Sequence, residues 1–78
     1  MNNLLIKALK AKYHAEQSDA VARLNVYLTN SVGIGEHPQH TEEMDKLVQQ
    51  YVDAQDKLHG LDDMITYINE NNESKLLS

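Results

Sequence analysis

The residues best suited to chemistry lie near the middle of the chain, where two histidines stand among carboxylates. His37 and His40 are three positions apart, and Glu36 and Glu43 flank them. Imidazoles one helical turn apart, with carboxylates nearby, could share a metal ion. The pair has no cysteine or third fixed ligand beside it, so solvated histidines that help to cap a helix are the favoured interpretation. We expect no metal and no other cofactor.

Two further patterns fall short of a catalytic or phosphate-binding site. The Gly33-x-Gly35 loop could present backbone N–H groups to an anion, but it lacks the third glycine, the Lys-Ser/Thr ending and the preceding strand of phosphate-binding loops. The acidic pairs at 42–43 and 62–63 are adjacent in sequence, so on a helix their side chains diverge by about 100°. There is no cysteine nucleophile. The sequence therefore predicts a protein that is not an enzyme.

Two long helical segments must position these residues. The first is predicted at about 3–29, where Asn2 or Asn3 can cap a stretch without Gly or Pro. A loop at 30–37 follows, and Pro38 suits the first position of a second helix that extends to about residue 69, before a polar tail at 70–78. Gly60 leaves open a kink or a short third helix. The fold predicted for residues 1–78 is a single all-α domain, an antiparallel two-helix hairpin.

An apolar heptad seam is the clearest pattern in the second helix. Its members alternate spacings of three and four, which keeps one stripe on one side of a helix and requires another helix to cover it. The predicted seam is Met44, Leu47, Tyr51, Ala54, Leu58, Leu61, Ile65 and Ile68. The first helix offers a thinner stripe, namely Ile6, Leu9, Tyr13, Gln17, Ala20, Leu24 and Leu28.

Charge supports the antiparallel arrangement. The first 30 residues carry four basic against two acidic residues, a net +2, whereas the remaining residues carry ten acids against three lysines, a net −7. The two values give the net charge of −5 for the whole chain. Folding back near the glycine loop would bring Lys7 and Lys10 close to Asp62, Asp63 and His59. Such exposed pairs set orientation more than stability.

The length of the chain points to association with another protein surface. A chain of 78 residues without cysteine buries only about 60% of its unfolded surface, and such small folds commonly rely on a partner subunit. A dimer of hairpins in a four-helix bundle is the simplest closure, and helical association with another protein is the rival. The candidate contact residues are Tyr27, Ile34, Val48, Tyr51, Val52 and Met64.

Composition disfavours two other kinds of partner. With a net charge of −5 and a basic cluster limited to Lys7, Lys10 and Lys12, nucleic-acid binding is not expected. An acidic second helix that imitates a phosphate backbone stays open as an alternative. No run approaches the roughly 20 apolar residues that span a bilayer, and lysines interrupt the apolar start too early for a signal peptide. We expect a soluble protein of the cytoplasm.

The loop and its flanks also carry a resemblance to known proteins. The segment VYLTNSVGIGEHP at 26–38, followed by an acidic helix through Met44, Leu47, Leu58 and Leu61, resembles small uncharacterised helical-hairpin proteins of tailed bacteriophages, especially T-even-like phages and cyanophages. The resemblance covers roughly residues 20–61. It implies a phage-encoded accessory protein made in the host cytoplasm, and it carries no catalytic residue with it.

Two classes of function therefore stay open. The first is a non-enzymatic protein that binds a host or phage protein by helix-to-helix packing. The alternative is a structural or assembly component that associates with itself into a helical bundle. Exposed apolar surface on a monomer would favour the first class, and a stable homo-oligomer would favour the second.

Overall fold

Two helices make up the described part of the chain. The computed structural model describes residues 3–29 and 38–77, with side chains described at 3–29 and 40–72. Helix α1 runs over Asn3–Thr29 and helix α2 over Pro38–Leu77. The described residues contain no strand, and the two helices pack along each other. The predicted all-α helical hairpin is confirmed.

Helix α1 follows from a stretch of 27 residues without Gly or Pro. The Arg23 guanidinium lies 3.0 Å from the Asp19 carboxylate one turn earlier, an i,i+4 pair of the kind that supports an exposed helix face. At the end of the helix the Thr29 hydroxyl donates to the carbonyl oxygen of Asn25 at 2.8 Å. A Thr hydroxyl near a helix end commonly makes such a bond to the carbonyl one turn earlier, in addition to the backbone hydrogen bonds of the helix.

Helix α2 begins at Pro38, as predicted, but it ends later than the sequence suggests. The predicted end at about residue 69 is too early, because the helix continues to Leu77. The polar run that we expected to fray contains no Gly or Pro, so no strongly helix-breaking residue interrupts it. The Asn71 amide donates to the carbonyl oxygen of Tyr67 at 2.9 Å, one turn back.

Gly60 does not interrupt α2. The helix is continuous through it, so neither a break nor a short third helix forms. A Cβ atom placed on Gly60 would meet nothing within 4 Å. No packing requirement therefore explains the glycine, and its conformation is ordinary helix.

The antiparallel arrangement is fixed at three places along the helices. Lys10 and Asp62 form an ion pair of 2.9 Å near the open end, as the charge pattern predicts. The Lys57 ammonium lies 5.7 Å from the centroid of the Tyr13 ring. Near the loop end, the Tyr27 and His40 rings meet edge to face, with their centroids 5.6 Å apart. An exposed ion pair contributes about 0.2–1 kcal/mol, so these contacts set alignment more than stability.

The hairpin is long and one helix thick. Its principal extents are 65 × 20 × 13 Å, and its radius of gyration is 18.6 Å, against about 11.5 Å for a compact domain of this length. Buried side chains are few in such a shape. Among the described residues they are Ala20, Leu47 and Ala54, so the core is a narrow line between the two helices.

Replacing Gly60 by Ala should stabilise the hairpin. Alanine is favoured over glycine by about 1 kcal/mol within a helix, and the added methyl group meets open space. We expect Gly60→Ala to raise the free energy of unfolding by about that amount in urea denaturation at fixed protein concentration. Ala15→Gly, at an exposed position of α1, should lower it by a similar amount. A loss of stability in Gly60→Ala would mean that α2 needs a bend at this residue.

Candidate interaction surface

The predicted seam of α2 divides into residues that face α1 and residues that do not. Leu47 and Ala54 are buried, and Met44, Leu58, Leu61 and Ile65 are half-buried. Tyr51 and Ile68 are instead 37% and 44% exposed. A straight helix of 3.6 residues per turn drifts by about 20° per heptad away from a strict seven-residue repeat. This drift accounts for the exposure of Ile68 at the far end of the seam, but not for that of Tyr51 in its middle.

Gln50, which the sequence pattern did not indicate, lies beside the core in the position that we expected for Tyr51. Its amide donates to the carbonyl oxygen of Glu16 at 2.8 Å and to the Asp19 carboxylate at 3.0 Å. Both acceptors belong to α1, so one side chain ties the two helices at mid-length. The hydrogen bond from Gln50 lowers the pKa of Asp19, and the nearby Arg23 charge lowers it further.

On α1 the predicted stripe is correct except at its end. Ala20 is buried, and the preceding members of the stripe and Leu24 are half-buried. Leu28 is exposed, whereas Tyr27 is half-buried against His40. Tyr27 lies about 20° from Ala20 around the helix, whereas Leu28 lies about 80° from it. Tyr27 therefore continues the interface that Ala20 and Leu24 form, and Leu28 does not.

A shallow apolar groove runs between the helices on one side of the hairpin. It has a volume of about 240 Å³. We call it the neutral groove, and its lining residues are Ala20, Val21, Leu24, Leu47, Val48 and Tyr51. Val21 is 54% exposed and Val48 49% exposed, so the groove presents branched apolar side chains to solvent. The small side chain of Ala20 lies at the bottom of the groove.

The side of the hairpin that carries the neutral groove lacks charged residues at its centre. A second depression continues from Val21 and Tyr51 towards His14 and Asn25, and neither depression is lined by Asp, Glu, Lys or Arg. Other depressions on the described surface are lined by charged residues. Arg23 and Glu43 line one, and two lysines line another, near the start of α1. The depression with Arg23 and Glu43 lies on the opposite side of the helix interface. The depression with the two lysines shares His14 with the second uncharged depression, so the uncharged surface ends towards the start of α1.

The structure separates the predicted contact residues instead of gathering them. Val48 and Tyr51 line the neutral groove. Val52 is exposed one turn further along α2, and Met64 is exposed about 24 Å from Val48 along the helix axis at 1.5 Å per residue. Tyr27 is half-buried. Ile34 lies outside the described residues.

The residues considered first for chemistry do not form a site within the described part of the chain. Gly33, Gly35, Glu36 and His37 lie outside it. The described residues contain no cluster of three or more potential metal ligands, and the His40 ring packs on Tyr27. Neither described helix has an apolar stretch of the length that a membrane crossing requires. Apolar surface is thus the main feature that the described residues offer to a partner.

Comparison with known proteins adds no further constraint. No protein family, no curated protein and no solved structure matches the chain. The surface has to be interpreted from its own geometry.

Removing the Gln50 amide should raise the pKa of Asp19. In Gln50→Ala we expect the Asp19 carboxyl, followed by NMR titration, to move up towards its ordinary value of 3.8. Gln49→Ala is the matched control, because Gln49 donates to Asp53 at 2.8 Å within α2. It should leave Asp19 unchanged. An equal pKa of Asp19 in wild type and Gln50→Ala would contradict the bond.

The same bond predicts the direction of a pH effect on stability. The pKa of Asp19 is lower in the folded chain than in the unfolded chain, so its contribution is complete above the ordinary value. That contribution is lost as the pH falls through the lowered folded pKa. The difference in unfolding free energy between wild type and Gln50→Ala should therefore narrow as the pH is taken below 3.8. A difference that widens on acidification would contradict this assignment.

Proposed function

We propose that this chain is a non-enzymatic interaction protein that works by packing a helical surface against another protein. The observation that carries the proposal is the imbalance between buried and exposed apolar side chains. Among the described residues, the buried ones are two alanines and one leucine, while eleven large hydrophobic side chains are exposed. Three of these exposed side chains, Val21, Val48 and Tyr51, line the neutral groove together, and a gathered apolar patch on a small protein is typical of an interaction site.

The neutral groove is the part of that surface best suited to receive another helix. Its side chains lie along both helices, and they flank the low point at Ala20. A helix docks by inserting a row of side chains between two such ridges, with apolar residues at spacings of three and four. Tyr51 adds an aromatic side chain at the edge, a residue type enriched at the centres of protein interfaces.

The kind of partner is inferred from a different observation. That the partner is a host or phage protein rests on the resemblance of the loop region to phage proteins. The structural alternative, a self-associating assembly component, is favoured by the absence of charge from the neutral groove.

The contacts of α2 make its use as an acidic nucleic-acid mimic the less favoured alternative. Several of them are already engaged with cationic or amide side chains. Glu43 pairs with Lys46 at 3.3 Å, Asp62 pairs with Lys10, and Asp53 accepts from Gln49. A phosphate backbone is imitated by a continuous row of unneutralised charge, and the lysines beside Glu43 and Asp62 neutralise two of the acids in this row.

Photocrosslinking tests whether the neutral groove contacts protein at all. Val48 is replaced by p-benzoylphenylalanine in cells that make the chain, and the light-induced covalent adducts are sized and identified by mass spectrometry. Because Val48 lines the groove and is half exposed, we expect discrete adducts with protein.

The matched control places the same photoreactive residue at Ala15. Ala15 is exposed and lies about 140° around α1 from Ala20. We expect few or no adducts from it. Adducts that are absent from Val48, or equally abundant from both positions, would overturn the proposed function.

A further inference from the structure

We propose that the occupant of the neutral groove is a second copy of this chain, so that two hairpins pack side to side about a twofold axis as a four-helix bundle. This inference rests on the proposed function and names its partner. Two properties of the molecule support it: its elongated shape, seen in both its surface area and its thickness, and the distribution of its charge.

The surface area is larger than that of a compact monomer of the same mass. The chain exposes 6321 Å², whereas a folded monomer of 8.9 kDa is expected to expose about 4,800 Å². The excess is about 1,500 Å² per chain, or about 3,000 Å² for a pair, which falls within the range of permanent homodimer interfaces.

Charge selects the side on which two copies can meet. Each chain carries a net charge of −5, so identical copies repel over most of their surfaces. A twofold interface places the same patch on both partners, so any charged residue at its centre would approach its own duplicate. The neutral groove and the depression that continues it contain no Asp, Glu, Lys or Arg. That side avoids the repulsion, while the side with Arg23 and Glu43 does not.

The thickness of the hairpin also calls for a second layer. The smallest extent of the chain is 13 Å, close to the diameter of one helix. Stable domains are built from two or more packed layers around a common core. In the proposed dimer, Val21, Val48 and Tyr51 of each copy become that core, and the narrow line around Ala20 and Ala54 becomes its flank.

Light scattering across a hundredfold range of concentration gives the first test. We expect wild type to have twice the chain mass of 8.9 kDa. Val48→Lys should have the mass of one chain, because a lysine in the dimer interface buries an unpaired charge and should raise the dissociation constant by about a hundredfold or more. Ala15→Lys adds the same charge outside the groove and should remain dimeric. Circular dichroism checks that both variants are helical.

Thiol reactivity gives a second test that does not depend on where the twofold axis lies. The chain has no native cysteine, so Val48→Cys and Ala15→Cys each carry a single reactive group. We expect the rate of maleimide modification of Val48→Cys to fall as protein concentration rises through the dimerisation range. The rate for Ala15→Cys should not change. Equal concentration dependence at both positions would overturn the assignment of this face.

The outcomes separate this inference from the proposed function. A wild-type mass of one chain at every concentration overturns the dimer, as does a dimer that Val48→Lys leaves intact. If photocrosslinking from Val48 then yields adducts with a different protein, the proposed function stands and only the identity of the partner is wrong. If it yields no adducts, both are wrong. Adducts at twice the chain mass support the dimer and favour the self-associating alternative over a host or phage partner.

Discussion

Two helices share only one interface, and the rest of this molecule follows from that limit. Ala54 and Ala20 are 0% and 2% exposed, and their small side chains let the helices approach closely along a narrow line. Close approach makes the interface thin, so larger apolar residues such as Val21 and Val48 are displaced to its edges. The chain thus reaches a defined helical alignment while much of its apolar surface remains outside its own core.

Polar contacts fix the alignment of the two helices along each other, which this thin apolar core alone does not determine. Apolar stripes slide along each other with little change in buried area, whereas hydrogen bonds and ion pairs have a fixed geometry. Gln50 ties the middle of α2 to α1 through Glu16 and Asp19, and the Lys10–Asp62 pair aligns the open end. The Gln50 contacts lie away from the neutral groove, and none of the groups that fix the alignment lines that groove.

Much of the fold could be predicted from the sequence, and the failures have identifiable causes. Both helix starts, the antiparallel pairing and the Lys10–Asp62 contact follow from spacing and charge. Gln50 and Tyr51 lie at about equal angles, roughly 50°, on either side of the line from Leu47 to Ala54. The helical period alone therefore could not predict which of these two side chains faces α1. Gln50 does so because α1 offers it hydrogen-bond acceptors. The position of the groove could not be predicted either, because it is formed by residues at the edges of the apolar stripes of both helices.

The difference between the two sides of the hairpin constrains how its length can change. One inserted residue rotates everything beyond it by about 100°, which would carry the charged side of a helix round to the neutral groove. Seven inserted residues restore the direction to within about 20°, but only if the facing helix gains the same length. Insertions and deletions within α1 and α2 should therefore be tolerated only as matched heptads, whereas substitutions on the charged side are far less restricted.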